Sequence, residues 1–111
     1  MLALNGNARF FLHLDPIDLR KGFEGLCGIV ENFFQQVITE GAYFIFINRR
    51  RDRIKVLYWD GDGLAIWYKR LEKGTFHKKK IETTLIERRE FLMLLEGVTP
   101  QRLQKRFRIT Q

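Results

Sequence analysis

Between Asn48 and Phe76 the chain reads NRRRDRIKVLYWDGDGLAIWYKRLEKGTF. Arg49, Arg50 and Arg51 are consecutive on a predicted turn, and Arg53 and Lys55 follow them. Exposed guanidiniums at a hairpin tip can fork onto phosphate oxygens or guanine edges. Downstream, two strand-like runs flank the turn Asp60-Gly61-Asp62-Gly63 and mix rings with cations. Side chains alternate along a strand, so Arg53, Lys55, Leu57 and Trp59 share one face of residues 53–60. Leu64, Ile66, Tyr68 and Arg70 likewise share one face of residues 64–71, while Ala65, Trp67, Lys69 and Leu71 share the other. Rings interleaved with cations on an open sheet stack bases and contact backbone phosphates. The candidate nucleic-acid-binding residues are therefore Arg49, Arg50, Arg51, Arg53, Lys55, Trp59, Tyr68, Lys69 and Arg70. The plainer readings are a solvated charge run, aromatic strand residues that fill a core, and tryptophan anchors for a protein partner.

Other chemistry is poorly supported. Asp60 and Asp62 lie two apart and could hold Mg²⁺ in a nuclease, but Asp-Gly-Asp-Gly is also what a tight hairpin requires of its backbone. Asp15 and Asp18 precede a helical pattern and read as caps. One cysteine and two distant histidines, His13 and His77, make no zinc constellation. The chain contains no serine, so a serine nucleophile is impossible. No catalytic residue, metal ligand or cofactor is expected, and the protein reads as a non-enzyme.

These residues must be positioned by the rest of the chain. Residues 8–14 read as a strand that Asp15 and Pro16 end. A long helix is expected from near Asp18 to before Gly41, with Leu19, Phe23, Leu26, Cys27, Val30, Phe34 and Val37 as its apolar stripe. Gly22, Gly25 and Gly28, spaced by three, suggest a close neighbour on that side. Strands follow at 42–48, 53–60 and 64–71, with a short one near Thr75 and Phe76. A second helix at 87–96 presents Phe91, Leu92, Leu94 and Leu95. The expected fold is α+β: an antiparallel β-meander sheet packed against one long amphipathic helix, plus a smaller carboxyl-terminal helix. Residues 1–98 would form the single domain, and residues 99–111 a basic helix or arm.

Charge sharpens the inference. The 111 residues carry a net +7. Residues 1–48 hold 3 Lys and Arg against 5 Asp and Glu, whereas residues 49–111 hold 17 against 8. All the positive excess lies in the second part, which points to a polyanionic partner. The single Cys27 excludes an internal disulfide and reads as a small core residue. No signal peptide is visible, and no apolar stretch approaches the roughly 18 residues of a membrane span. A cytoplasmic, non-membrane protein is expected.

Three segments carry a family resemblance. Asp18-Leu19-Arg20-Lys21-Gly22-Phe23-Glu24-Gly25-Leu26 resembles the signature D-x-R-K-G-F-D-x-L, with Glu24 in the aspartate place. Asn48 to Phe76 resembles a basic turn followed by R-I-K-x-L-x-W-D-x-x-G and Y-K-R-L-E-x-G-x-F. Residues 92–98 resemble a closing L-x-x-L-L-x-G. The family is the TnpB-type accessory protein, the second reading-frame product of bacterial insertion sequences of the insertion-sequence-66 class. After Phe76 the chain departs from it, with His77-Lys78-Lys79-Lys80 where the family tends to have Trp-Pro.

The resemblance implies a role in transposition beside a separate transposase, and it assigns no catalytic residue. Joined to the residue reading, it gives a non-catalytic DNA-binding accessory protein that contacts element ends or target DNA. The alternative is a protein–protein adaptor for the transposase of the same element, with little direct DNA contact. Arg20 and Lys21, at the expected helix start, need a partner: a carboxylate within the fold (Asp15, Asp18 or Glu24) or phosphate outside it.

Overall fold

The run Tyr43 to Ile47 is apolar at every position, the pattern of a strand covered on both faces. The computed structural model describes residues 6–76 and 84–96. In it, all five residues of that run are buried at the centre of a mixed sheet. The strands are β1 (Phe10–Leu12), β2 (Tyr43–Ile47), β3 (Arg53–Trp59), β4 (Leu64–Arg70) and β5 (Leu85–Ile86), in the order β4-β3-β2-β1-β5. Helix α1 (Phe23–Ile29) continues into a π-helical turn at Val30–Phe34, and α2 is Arg88–Glu96.

Each helix covers one face. Leu26, Val30 and Phe34 pack with Phe11, Phe44, Phe46 and Leu57. Phe91, Leu94 and Leu95 of α2 pack on the opposite side with Phe10, Ile45, Ile54 and Val56. Leu92 is exposed, so the stripe of α2 is narrower than its apolar composition suggests. On the face that α1 covers, β3 also carries Arg53 and Lys55 and β4 carries Tyr68 and Arg70; Arg53, Tyr68 and Arg70 are exposed.

Three expectations are corrected. The sheet is not an antiparallel meander: β2, β3 and β4 pair antiparallel, but β1 runs parallel to β2, with Phe10 opposite Tyr43. A parallel pair requires a crossover, and residues 13–42 provide it. No strand forms at Thr75 and Phe76; Phe76 instead fills the core, its amide donating to Arg51 O at 2.6 Å.

The long helix is also shorter than its stripe. Asp18 caps a turn, not the helix: its Oδ1 accepts from the Arg20 amide at 3.0 Å. Gly22 is extended, so α1 begins only at Phe23. Gln35, in the left-handed region at φ 54°, ends the π turn. Val37 therefore falls outside the helix and is 55% exposed, and Phe23 is 47% exposed.

The glycine reading fails as well. A Cβ added at Gly22 or Gly28 would meet nothing within 4 Å, and one at Gly25 would meet only the Lys21 side chain, at 3.2 Å. Nothing in the packing explains their spacing. The expected basic arm and His77 to Lys80 lie outside the described residues.

Candidate nucleic-acid interface

The β2–β3 turn is built by one side chain. Asn48 Oδ1 accepts from the amides of Asp52 at 3.1 Å and Arg53 at 3.0 Å, and its Nδ2 donates to Asp52 Oδ1 at 2.7 Å. That bond is the main reason the Asp52 carboxyl titrates below its ordinary value; the positive charges of Arg50 and Arg53 add to it. Arg51 takes the left-handed conformation at φ 60°, and its amide donates to Asn48 O at 3.1 Å. The result is a fixed tip that holds Arg49 and Arg50 in solvent.

The three consecutive arginines separate in role. Arg51 turns inward, its Nε donating to Phe76 O at 3.4 Å. Burial lowers its pKa, as expected for a cation moved out of water. Arg51 thus straps the segment at Phe76 to the hairpin.

Beside the tip lies an open cleft of about 510 Å³. Residues Pro16 to Arg20 form one wall; Asn48, Arg49, Arg50 and Arg53 form the other. The Ile17 amide donates to Ile47 O at 3.0 Å and seats the first wall against β2. Within that wall Arg20 is paired with Asp18, its terminal nitrogen 2.7 Å from Oδ2. Hydrogen bonds from the Arg20 side chain, then from its amide, hold the Asp18 carboxyl at about 2, below its ordinary 3.8. The carboxylate partner anticipated for Arg20 is therefore Asp18.

The cationic surface continues onto β3 and β4. Arg53 lies opposite Arg70, and Lys55 opposite Tyr68. Arg70 is 3.1 Å from Glu72. Lys55 Nζ donates to Lys21 O at 3.1 Å and sits 5.2 Å from the Tyr68 ring centroid. Tyr68 is 49% exposed, so its ring is available to stack. Among the described residues Arg49, Arg50 and Arg53 form no salt bridge.

Six of the nine candidates thus share one region: Arg49, Arg50, Arg53, Lys55, Tyr68 and Arg70. Three do not. Arg51 is the inward strap. Lys69 is on the α2 face and donates to Leu95 O, at the end of α2, at 3.1 Å. Trp59 is six residues along β3 from Arg53, about 20 Å, and its indole N–H donates to Gly61 O at 3.1 Å. Trp67 packs against the α2-side core. Asp60 and Asp62 form the β3–β4 turn, where the Asp60 amide donates to Gly63 O at 2.8 Å and Gly61 has φ 73°. Among the described residues no group of three or more His, Cys, Asp or Glu side chains is placed to hold a metal ion.

Sequence reasoning missed the wall from Pro16 to Leu19, because it assigned Asp15 and Asp18 to a helix start. The signal was present in another form. The segment resembling D-x-R-K-G-F and the segment beginning at Asn48 are some thirty residues apart in sequence, and they meet at this cleft.

Residues 8–105 match the family described as IS66 Orf2 like protein, and the chain belongs to that family. The family places it among accessory proteins associated with transposition of insertion-sequence-66 elements. Two relatives come from Sinorhizobium fredii. Uncharacterized protein y4jC is 28% identical over 108 residues, covering 96% of this chain and 92% of the relative. Uncharacterized protein y4hO is 28% identical over 113 residues, covering 100% and 98%. No solved structure matches the chain. No helix among the described residues is long and apolar enough to cross a membrane.

Proposed function

We propose that the protein is a non-catalytic DNA-binding factor that assists the transposase of its element. The observation that carries this reading is the cleft flanked by Arg49, Arg50 and Arg53, three guanidiniums without carboxylate partners among the described residues. A concavity whose lining, Asp18 with Arg20, Arg49, Arg50 and Arg53, keeps a net positive charge favours a polyanion. Lys55 and Arg70 extend it along the sheet, and Tyr68 adds a ring on which an unpaired base can stack. Backbone contacts of this kind position a protein without reading sequence. Arg20 is tied to Asp18 and serves as the wall, not as a principal phosphate ligand.

The test is a mobility shift with the element's terminal DNA, with and without its transposase. Binding by the protein alone, lost in the triple variant Arg49→Ala/Arg50→Ala/Arg53→Ala, supports the proposal. No shift in either condition contradicts it.

A second reading is a transposase adaptor. It is favoured by the exposed apolar side chains Phe23, Phe33 and Val37 around α1. Under that reading Phe33→Ala weakens transposase capture, and the triple arginine variant leaves capture unchanged.

A further inference from the structure

Among the described residues strand β4 ends the sheet, and no strand pairs with its outer edge. The β3–β4 register pairs Arg53 with Arg70 and Trp59 with Leu64. The Asp60 amide donates to Gly63 O, and the Leu71 amide donates to Asp52 O. In an antiparallel ladder hydrogen-bonded and non-hydrogen-bonded pairs alternate. Those two bonds therefore fix the phase: Ala65, Trp67 and Lys69 turn their backbone groups toward β3. Leu64, Ile66, Tyr68 and Arg70 turn theirs away from it, and among the described residues no strand pairs with them. The edge is seven residues long and contains no proline, whereas protected edges are short, bulged or proline-bearing.

The two ends of this edge differ in net charge. Asp60 and Asp62 precede it, a net −2; Arg70, Glu72 and Lys73 end it, a net +1; all five are exposed. We infer that β4 pairs antiparallel with β4 of a second copy of this chain, forming one continuous ten-stranded sheet. With Leu64 opposite Arg70 and Ile66 opposite Tyr68, all four outward-facing residues of each copy enter the ladder, and about eight backbone hydrogen bonds form. The same register places Trp67 on the two-fold axis. It sets Asp62 of one copy opposite Glu72 of the other, with Arg70 and Lys73 on either side of that glutamate, twice, so the net negative end of each edge meets the net positive end of its partner. Parallel pairing would instead set like charge against like. The inference does not depend on DNA binding, and it is tested on the protein alone.

Sedimentation equilibrium of the full chain gives twice 13.3 kDa at tens of micromolar. Tyr68→Pro returns it to the monomer mass, since that amide faces outward and its loss breaks no internal ladder bond. Should that variant not fold, Trp67→Cys in a Cys27→Ala background decides, because axial non-hydrogen-bonded positions suit a disulfide. Oxidation then gives a covalent dimer. A wild-type chain that stays monomeric overturns the inference, as does a dimer that Tyr68→Pro leaves intact. It is also overturned by a wild-type monomer whose capture by transposase is lost in Tyr68→Pro, which would give the edge to a foreign strand.

Discussion

Arg53 on β3 lies directly opposite Arg70 on β4, a cross-strand pair of like charge. Glu72 relieves Arg70 at 3.1 Å, and among the described residues Arg53 has no salt-bridge partner. Like charges in this position weaken a sheet. A fold retains such a pair at a net cost where the charges serve something outside it.

Arg53→Thr therefore moves stability and binding in opposite directions. Unfolding in urea at low salt shows a gain of about 0.5 kcal/mol, while affinity for duplex DNA falls about tenfold through loss of a charge-assisted contact. A variant that loses both stability and affinity would make Arg53 a structural residue.

Asn48 is the turn's organiser, with three side-chain hydrogen bonds to Asp52 and Arg53. Asn48→Ala should cost about 2 kcal/mol of stability. Binding of DNA weakens with it, because Arg49 and Arg50 lose their fixed tip. Denaturant titration and a binding isotherm on the same preparation check both effects.

The Asp18–Arg20 pair sets an acid response. The Asp18 carboxyl titrates at about 2 in the folded chain against an ordinary 3.8. Its folded value is the lower one, so its contribution is present above pH 3.8 and is lost as the pH falls toward 2. Asp18→Asn flattens the stability profile in that window. The difference shrinks in high salt, because the pair is exposed. Superimposable profiles for the two proteins would remove this role.

Lys69 separates structure from binding. Its ammonium closes the carboxyl end of α2 through Leu95 O, where a cation also complements the helix dipole. Lys69→Met lowers stability by about 1 kcal/mol and leaves DNA affinity unchanged. A binding loss comparable to that of Arg53→Thr would return Lys69 to the interface.

How much of this was legible in the residues depends on range. Asp60-Gly61-Asp62-Gly63 and the alternation on either side fixed β3, β4 and their turn, because those signals are local. Trp59 and Lys69 lie apart from the other candidates for another reason. A period of two assigns Lys69 to the α2 face, but not that α2 ends within its reach; it places Trp59 with Arg53, but not how far apart the strand sets them. The parallel pairing of Phe10 with Tyr43 spans more than thirty residues, and hairpin logic cannot see it. The helix was over-extended because Leu19 and Val37 fit the stripe. The turn at Asp18 and the left-handed Gln35 outweighed that periodicity at the two ends.

The central claim is electrostatic, and salt tests it most directly. The grouping of cations at the cleft corresponds to about four phosphate contacts, from Arg49, Arg50, Arg53 and Lys55. Duplex affinity measured across a series of salt concentrations should fall with a slope of about −4, and with a slope of about −1 in the triple Arg49→Ala/Arg50→Ala/Arg53→Ala variant. Affinity that is flat with salt, or a slope that the triple variant leaves unchanged, would contradict DNA binding at this cleft.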